Sequence, residues 1–250
     1  MIFKVFRDPT RWTLLFVLSP LIFVSYFGTL AVAVSLLPKG YDWRYRAISK
    51  LLYPRNNPQF HSIPSVGIAV TGVLIIPFAG YAGRRLRVAS PIGANVGGFV
   101  FGAGAVCLIL AGLIVSDSAS EFSGFPRLHE MLARASALGI GAGMLVFDAC
   151  ALKGYFVPAT RKKLYRRGLL VSWNLLILPA ILVVVLRLAA HADFRWSNPI
   201  YHALKNPAAW HLAFWEWIGS AAVFMFLLSS ALFLPERACE CHPHGSSGIN

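Results

Sequence analysis

Hydrophobic residues in this chain are gathered into six long blocks, separated by segments rich in charged, aromatic, Pro or Asn residues. Each block reaches or approaches the roughly 20 residues that an α-helix needs to cross the hydrocarbon core of a bilayer. Backbone polar groups in hydrocarbon must be satisfied internally, and the sequence lacks the alternating ten-residue segments of a membrane barrel. The pattern predicts an all-α, polytopic integral membrane protein, a six-transmembrane-helix bundle. The helices are predicted near 13–37, 63–83, 92–115, 129–152, 168–190 and 211–234.

Composition agrees with this class, since 57% of the 250 residues are hydrophobic and 13% are charged, against about 25% charged in soluble domains. The first block follows basic residues, as a signal peptide would. It is too long for a signal sequence and ends in Pro38-Lys39-Gly40 rather than at small residues. We therefore predict one transmembrane domain, 1–236, with a flexible cytoplasmic tail at 237–250.

Basic residues predict the orientation. The net charge of +13 fits the excess of Lys and Arg in cytoplasmic loops, and no loop is long enough to form a nucleic-acid-binding domain. The strongest cluster lies at 161–167 and a second at 84–87, so both termini are predicted to be cytoplasmic, in a bacterial inner (plasma) membrane. The basic loop 38–62, on the opposite side, is evidence against this orientation.

Two glycine-rich helices are predicted to pack closely as an antiparallel pair, because small residues let membrane helices approach each other. The glycines concerned are Gly98, Gly102 and Gly104 in the third helix and Gly139, Gly141 and Gly143 in the fourth.

Polar residues collect at one depth, where odd-numbered helices end and even-numbered helices begin on the outer side. Ionisable groups in membrane helices usually face a cavity or a partner, and we predict that Arg134 pairs with Glu216. Asp148 lies near the inner end of its helix and is predicted to be interfacial. The candidate binding residues are Ser49, His61, His129, Arg134, His211 and Glu216.

The same cluster has the residue types of a metal or catalytic site. Zinc accepts His and carboxylate ligands, which makes His129, His211 and Asp117 candidate ligands, although His211 and Glu216 are spaced i, i+5 and do not face each other. Haem is disfavoured, because no histidine lies in the middle of a helix. The tail sequence C-x-C-H-x-H at 239–244 has no standard structural spacing and is predicted to be disordered. The candidate catalytic residues are His129, Glu130 and Asp117.

Short motifs give the chain a family resemblance over about residues 12–236. They are Ile48-Ser49, Pro54-Arg55-Asn56-Asn57-Pro58, Phe60, Arg84-Arg85, His129, Trp215-Glu216-Trp217 and Phe233-Leu234-Pro235-Glu236. In these the chain resembles the Frag1/DRAM/Sfk1 family of six-helix membrane proteins, which includes factors of the PGAP2 type, and its layout is similar to DUF998. The resemblance implies a six-helix bundle with outer polar groups at Ser49, His129 and Glu216, and roles in lipid remodelling, lipid-kinase anchoring or autophagy. The histidines His61, His191 and His211 depart from it.

The first of the three functions below is the predicted one, and the other two are its alternatives. The first is an outer polar pocket that engages a lipid or amphiphile headgroup. The second is a membrane-embedded hydrolase or acyltransferase, in which His129 or a metal activates water or a hydroxyl, and Asp117 or Glu130 orients it. The third is an accessory or scaffold subunit of a larger membrane complex. The expected partners are membrane lipids and membrane-protein subunits, and not nucleic acid.

Overall fold

The structure is a computed structural model that describes residues 9–37, 40–115, 128–157, 167–191 and 212–235. Throughout these ranges the regular structure is helical and no strand occurs, which confirms the all-α class. The helices are α1 (Arg11–Ser35), α2 (Ser49–Leu52), α3 (Ser62–Leu86), α4 (Pro91–Leu113), α5 (Leu128–Phe156), α6 (Arg167–His191) and α7 (Leu212–Phe233).

Among the described residues, five helices are long and apolar enough to cross a membrane, namely α1, α3, α4, α5 and, over Ala213–Phe233, α7. In α6 the side chains are described as a continuous run only over Arg167–Leu178, and this part is an apolar helix. Length and composition therefore define an integral membrane protein, whereas the sixth span and the cytoplasmic position of the termini stay predictions.

Helix α1 contains two π-turns, Leu14–Leu18 and Val24–Gly28. Its buried apolar side chains in this region lie at four-residue spacing, at Leu14, Leu18 and Ile22, and Leu30 follows two such intervals later, with the half-buried Tyr26 between. An α-helix repeats every 3.6 residues, so a four-residue pattern drifts by about 40° at each step. A π-turn winds more residues into one turn, and two of them keep these side chains facing the core.

Hydroxyl side chains donate to carbonyl groups at both π-turns. Ser19 donates its Oγ hydrogen to the Leu14 carbonyl at 2.8 Å, and Thr29 donates from Oγ1 to the Ser25 carbonyl at 2.6 Å. The Leu14 carbonyl also accepts from the Ser19 backbone N–H, so the hydroxyl adds a second bond there. A hydroxyl in an apolar segment must itself find an acceptor, and both of these hydroxyls find one on their own helix. The positions of Ser and Thr within this apolar segment therefore have a local structural cause.

The glycine-rich helices α4 and α5 pack in close backbone contact, as predicted. A methyl group added at Gly104 would lie 2.5 Å from the Ile140 nitrogen, and one at Gly143 would lie 2.6 Å from Phe101 Cβ. Gly102 and Gly141 instead have no such neighbour within 4 Å. Only some of the predicted glycines therefore form the contact.

The end of α3 is fixed to the end of α7 by a buried arginine, and we call this the arginine end of the bundle. Arg85 is 7% exposed, and its Nε donates to the Pro235 carbonyl at 2.7 Å. The guanidinium carbon lies 3.4 Å from the centre of the Tyr81 ring, whose hydroxyl donates to the Leu234 carbonyl at 3.4 Å. These bonds satisfy carbonyl groups at the C-terminus of α7.

The opposite end is covered by residues 40–61, which we call the cap. Three apolar residues of the cap, Ile48, Leu51 and Leu52, are buried against Leu30 of α1 and Ile68 of α3. Cap residue Asn57 is also buried and donates from Nδ2 to the Leu51 carbonyl at 3.1 Å. The cap is therefore packed onto the bundle and fixes the positions of its polar residues.

Candidate functional site

Glu216, in the first turns of α7, joins that helix to the cap. Its Oε2 accepts a hydrogen bond from the Ile48 backbone N–H at 2.6 Å. This amide precedes α2, where the first N–H groups of a helix have no intrahelical partner. Of the side chains that the structure describes, no Lys, Arg or His forms an ion pair with this half-buried carboxylate.

The predicted pair between Arg134 and Glu216 is therefore wrong. Arg134 forms its ion pair with Glu130, one turn earlier on α5. Residues spaced i, i+4 are neighbours on a helix surface, so this pair forms without any tertiary contact. Glu216 is satisfied instead by a backbone amide that is 168 residues away in sequence.

Tyr41 lies beside Glu216 in a hydrogen-bonded group. Trp217 donates from Nε1 to the Tyr41 hydroxyl at 3.3 Å, and Tyr41 donates to the Arg46 carbonyl at 2.5 Å. The Tyr41 and Trp217 rings meet edge to face, with centres 6.2 Å apart. Burial, above all, raises the pKa of Tyr41 to about 12, and the negative charge of Glu216 adds to the rise, while the Trp217 hydrogen bond and the Arg46 charge oppose it.

The two arginines of this part of the cap differ in their partners. Arg44 forms an ion pair with Asp42, with Nε 3.2 Å from Oδ1, and this hydrogen-bonded pair lowers the pKa of Asp42. Arg46 donates one N–H to the Gly40 carbonyl at 3.0 Å and has no ion pair with any described residue. An exposed guanidinium and a half-buried carboxylate, both close enough to act on Tyr41, are thus left unpaired with each other.

His129 occupies a second polar position at the capped end. The side chain is 6% exposed, and Nδ1 lies 2.8 Å from the Ala111 carbonyl at the end of α4, while the Tyr53 ring meets it edge-on at 5.4 Å. A carbonyl can only accept, so Nδ1 carries the proton and Nε2 holds the lone pair of the neutral ring. A histidine held in this way is oriented to accept a proton or to ligate a metal.

The remaining predicted residues are only partly described. Ser49 is the first residue of α2, and His61 precedes α3 with its Nδ1 buried and without a hydrogen-bond partner in the described part of the chain. Asp117 and His211 lie outside the described residues. Within the described ranges no three His, Cys, Asp or Glu residues are grouped so as to hold a metal. Asp148 is buried, and its Oδ1 accepts from the Asn174 amide at 3.4 Å.

A groove of about 430 Å³ runs between α1 and α3 in the half of the bundle nearest the cap. Its base is the contact of Gly67 with α1, where an added methyl group would lie 2.1 Å from Thr29 Oγ1. Val66 on its wall is 57% exposed, so the groove is open at the surface that faces the membrane. The lining residues are Ser25, Thr29, Ser62, Ile63, Val66, Gly67 and Val70.

The sequence predicted Glu216 and His129 but not Arg46 as a site residue, nor the groove. The available signal was the alternation of charged and aromatic residues in two separate segments, YDWRYR at 41–46 and WEW at 215–217. Tyr and Trp residues at a membrane boundary are also typical of an interfacial belt, so neither segment by itself indicates a site. Their contact through Tyr41 and Trp217 requires the folded cap and could not be derived from either segment alone.

No protein-family model, curated protein or solved structure matches the chain. Its class is that of integral membrane proteins, on the length and composition of its helices.

Proposed function

We propose that this integral membrane protein binds the headgroup of a lipid or other amphiphile at its capped end. One observation carries the proposal: the cap brings together Glu216 and Arg46, neither of which forms an ion pair with any described residue. Tyr41 links them, because it accepts from Trp217, the residue after Glu216, and donates to the Arg46 backbone carbonyl. Ionisable residues in membrane helices are costly and usually serve a site or a partner. Tyr and Trp side chains favour the headgroup level of the bilayer, which is where such a ligand is found.

The groove between α1 and α3 supports the same function. Its wall is mainly apolar, with Val66 and Val70 exposed, and it begins at Ser62, directly after the cap. An acyl chain that lies in this groove would extend along the bundle toward the arginine end. The capped end would then meet the polar part of an amphiphile and the groove its apolar part.

The proposal also covers the number of spans, the membrane orientation and the family of the protein. It includes a sixth span at α6, termini in the cytoplasm of a bacterium, and the resemblance to the Frag1/DRAM/Sfk1 family. The helical extent of α6, Arg167–His191, supports the sixth span, because its 25 residues equal the length of α3. An even number of spans would return both termini to the same side.

The second candidate, a membrane-embedded hydrolase or acyltransferase, is favoured by one observation. The Ala111 carbonyl fixes the proton on Nδ1 of His129 and leaves Nε2 free to act as a base or a zinc ligand. Asp117 and His211 would have to complete the site, with zinc or without it. Glu130 has its own partner in Arg134 and is the weaker candidate for orienting a reacting group.

Headgroup binding is tested by measuring which lipids stay bound to the protein. The protein is purified in mild detergent from an expression host, and native mass spectrometry counts the lipids retained for each chain. We expect at least one lipid on the unaltered protein and its loss in the double variant Glu216→Gln, Arg46→Gln. Glutamine still accepts the Ile48 hydrogen bond, so the cap is expected to stay folded.

The matched control is Glu130→Gln, Arg134→Gln, which removes one acid and one base from the same end of the bundle as an established ion pair. This control should retain the lipid. Absence of bound lipid on the unaltered protein, or equal retention by the two double variants, would refute headgroup binding at the cap.

A further inference from the structure

Glu216 has an unused acceptor at the membrane boundary. One carboxylate oxygen accepts from Ile48, and the second has no hydrogen-bond partner among the described residues. A half-buried carboxylate without a cation loses hydration and gains little in return. Tyr41 cannot supply the missing partner, because its hydroxyl hydrogen is donated to the Arg46 carbonyl.

Arg46 has unused donors near the same tyrosine. Within the described part of the chain, only one of its N–H groups bonds to the protein, at Gly40, and the side chain is exposed. A guanidinium group presents five donors in a planar arrangement that matches phosphate oxygens. Arg44, two residues earlier, is occupied by Asp42 and provides an internal contrast.

The two charged residues are linked through Tyr41 and yet do not neutralise each other. Trp217, the residue after Glu216, donates to the Tyr41 hydroxyl, and Tyr41 donates to the backbone of Arg46, so a chain of hydrogen bonds links α7 to the cap. No ion pair joins Glu216 to Arg46. A ligand with both a negative and a positive group could satisfy both residues at once.

We infer that the capped end recognises a phosphate joined to a primary ammonium group, as in a phosphoethanolamine lipid headgroup, with the ammonium on Glu216 and the phosphate on Arg46. This inference rests on the proposed headgroup binding and specifies its chemistry. A primary ammonium donates hydrogen bonds to a carboxylate, and the rings of Tyr41 and Trp217 add faces that attract cations. A phosphoglycerol headgroup carries the phosphate but offers no cation to Glu216.

The test compares lipids that differ only in the headgroup. Dihexanoyl phosphatidylethanolamine and dihexanoyl phosphatidylglycerol are titrated separately into the delipidated, detergent-purified full chain, with binding followed by native mass spectrometry. We expect the ethanolamine lipid to bind about tenfold more tightly, which is the lower end of what one hydrogen bond to a charged group contributes. Glu216→Gln should bring the two affinities together, because the glutamine retains the Ile48 bond and loses only the charge.

Three comparisons make the result decisive. Arg46→Gln should weaken both lipids, since both contain the phosphate, whereas Arg44→Gln should weaken neither. Free O-phosphoethanolamine is the soluble competitor. If this free compound binds as tightly as the lipid, a membrane lipid is refuted as the source of the recognised headgroup. If Glu216 acted only as a cap for α2, Glu216→Gln would leave the headgroup preference unchanged.

The outcomes also separate this inference from the function on which it rests. Binding of neither lipid to the unaltered protein refutes the proposed function. Equal binding of both lipids, or preference for phosphatidylglycerol, refutes the zwitterionic headgroup while headgroup binding stands. A preference that Glu216→Gln and Arg44→Gln reduce equally would also overturn the assignment, because it would not depend on the unpaired residues.

Discussion

The contact between α4 and α5 allows a quantitative prediction from two glycines of the same helix. Gly104 faces α5, where an added methyl group would meet the Ile140 nitrogen at 2.5 Å and the Gly139 carbonyl carbon at 2.8 Å. Gly102, two residues earlier, has no such neighbour within 4 Å. The substitutions Gly104→Ala and Gly102→Ala therefore add the same atoms in two different surroundings.

The difference in free energy follows from these distances. Ordinary contacts between carbon atoms lie at about 3.5–4.0 Å, so the methyl group at Gly104 must displace the backbone of α5 by about 1 Å. Overpacking of this kind costs about 1–3 kcal/mol. At Gly102 the same change removes backbone freedom from the unfolded chain and stabilises the helix by about 0.5–1 kcal/mol. The two variants should differ by about 1.5–4 kcal/mol in the free energy of unfolding.

The assay is unfolding in mixed micelles, with sodium dodecyl sulfate as the denaturant and far-ultraviolet circular dichroism as the signal. Linear extrapolation of each transition gives the free energy of unfolding. The pair Gly143→Ala and Gly141→Ala repeats the comparison on α5, because Gly143 faces Phe101 at 2.6 Å and Gly141 has open space. If both members of each pair agree within about 0.5 kcal/mol, the value expected for uninvolved surface sites, the close packing of α4 on α5 is refuted.

Two further predictions concern the ends of the bundle. Arg85→Met should lower the free energy of unfolding by about 2 kcal/mol in the same assay, because the hydrogen bond to Pro235 is lost. Its control is Arg87→Met at an exposed position, which should cost less than about 1 kcal/mol. Equal effects of the two substitutions would contradict the buried role of Arg85. At the cap, folding raises the pKa of Tyr41 from 10.0 to about 12, so the folded state holds the hydroxyl proton more tightly than the unfolded state. The stability that this protonated tyrosine contributes is therefore complete below pH 10 and is lost as the pH rises from 10.0 to about 12. Unfolding measured at stepped pH should show this loss, and Tyr41→Phe should make the loss over this pH range smaller.

Much of the fold could be predicted because its main determinant is hydrophobic length. A block of more than 20 apolar residues in a bilayer has few alternatives to a helix, so the class follows from the sequence alone. The contact between α4 and α5 was also accessible, since small residues indicate close approach. The sequence does not show which glycines form this contact, because Gly102 and Gly104 differ only in the direction that each faces in the packed bundle. The π-turns of α1 likewise depend on which side chains the neighbouring helices bury.

The candidate site was predicted in its ionisable residues but not in its contacts. Glu216 was identified because a carboxylate is costly in a membrane helix. Its partner was missed because Arg134 had a local alternative in Glu130, and because a backbone amide leaves no mark in the sequence. Long-range contacts of a loop with a helix depend on how the loop folds, and the apolar residues of the cap pack on α1 and α3.

The π-turns of α1 also affect how this helix matches the thickness of the bilayer. Counted as a regular helix, its 25 residues would extend for about 38 Å, whereas the 23 residues of α4 extend for about 35 Å. Each π-turn takes up roughly one extra residue without lengthening the helix, which leaves α1 with the axial length of about 23 regular residues, or about 35 Å. The two helices that flank α3, α1 and α4, therefore present nearly equal apolar lengths. Helix α1 does not have to tilt more than α4 to keep its apolar residues within the hydrocarbon core.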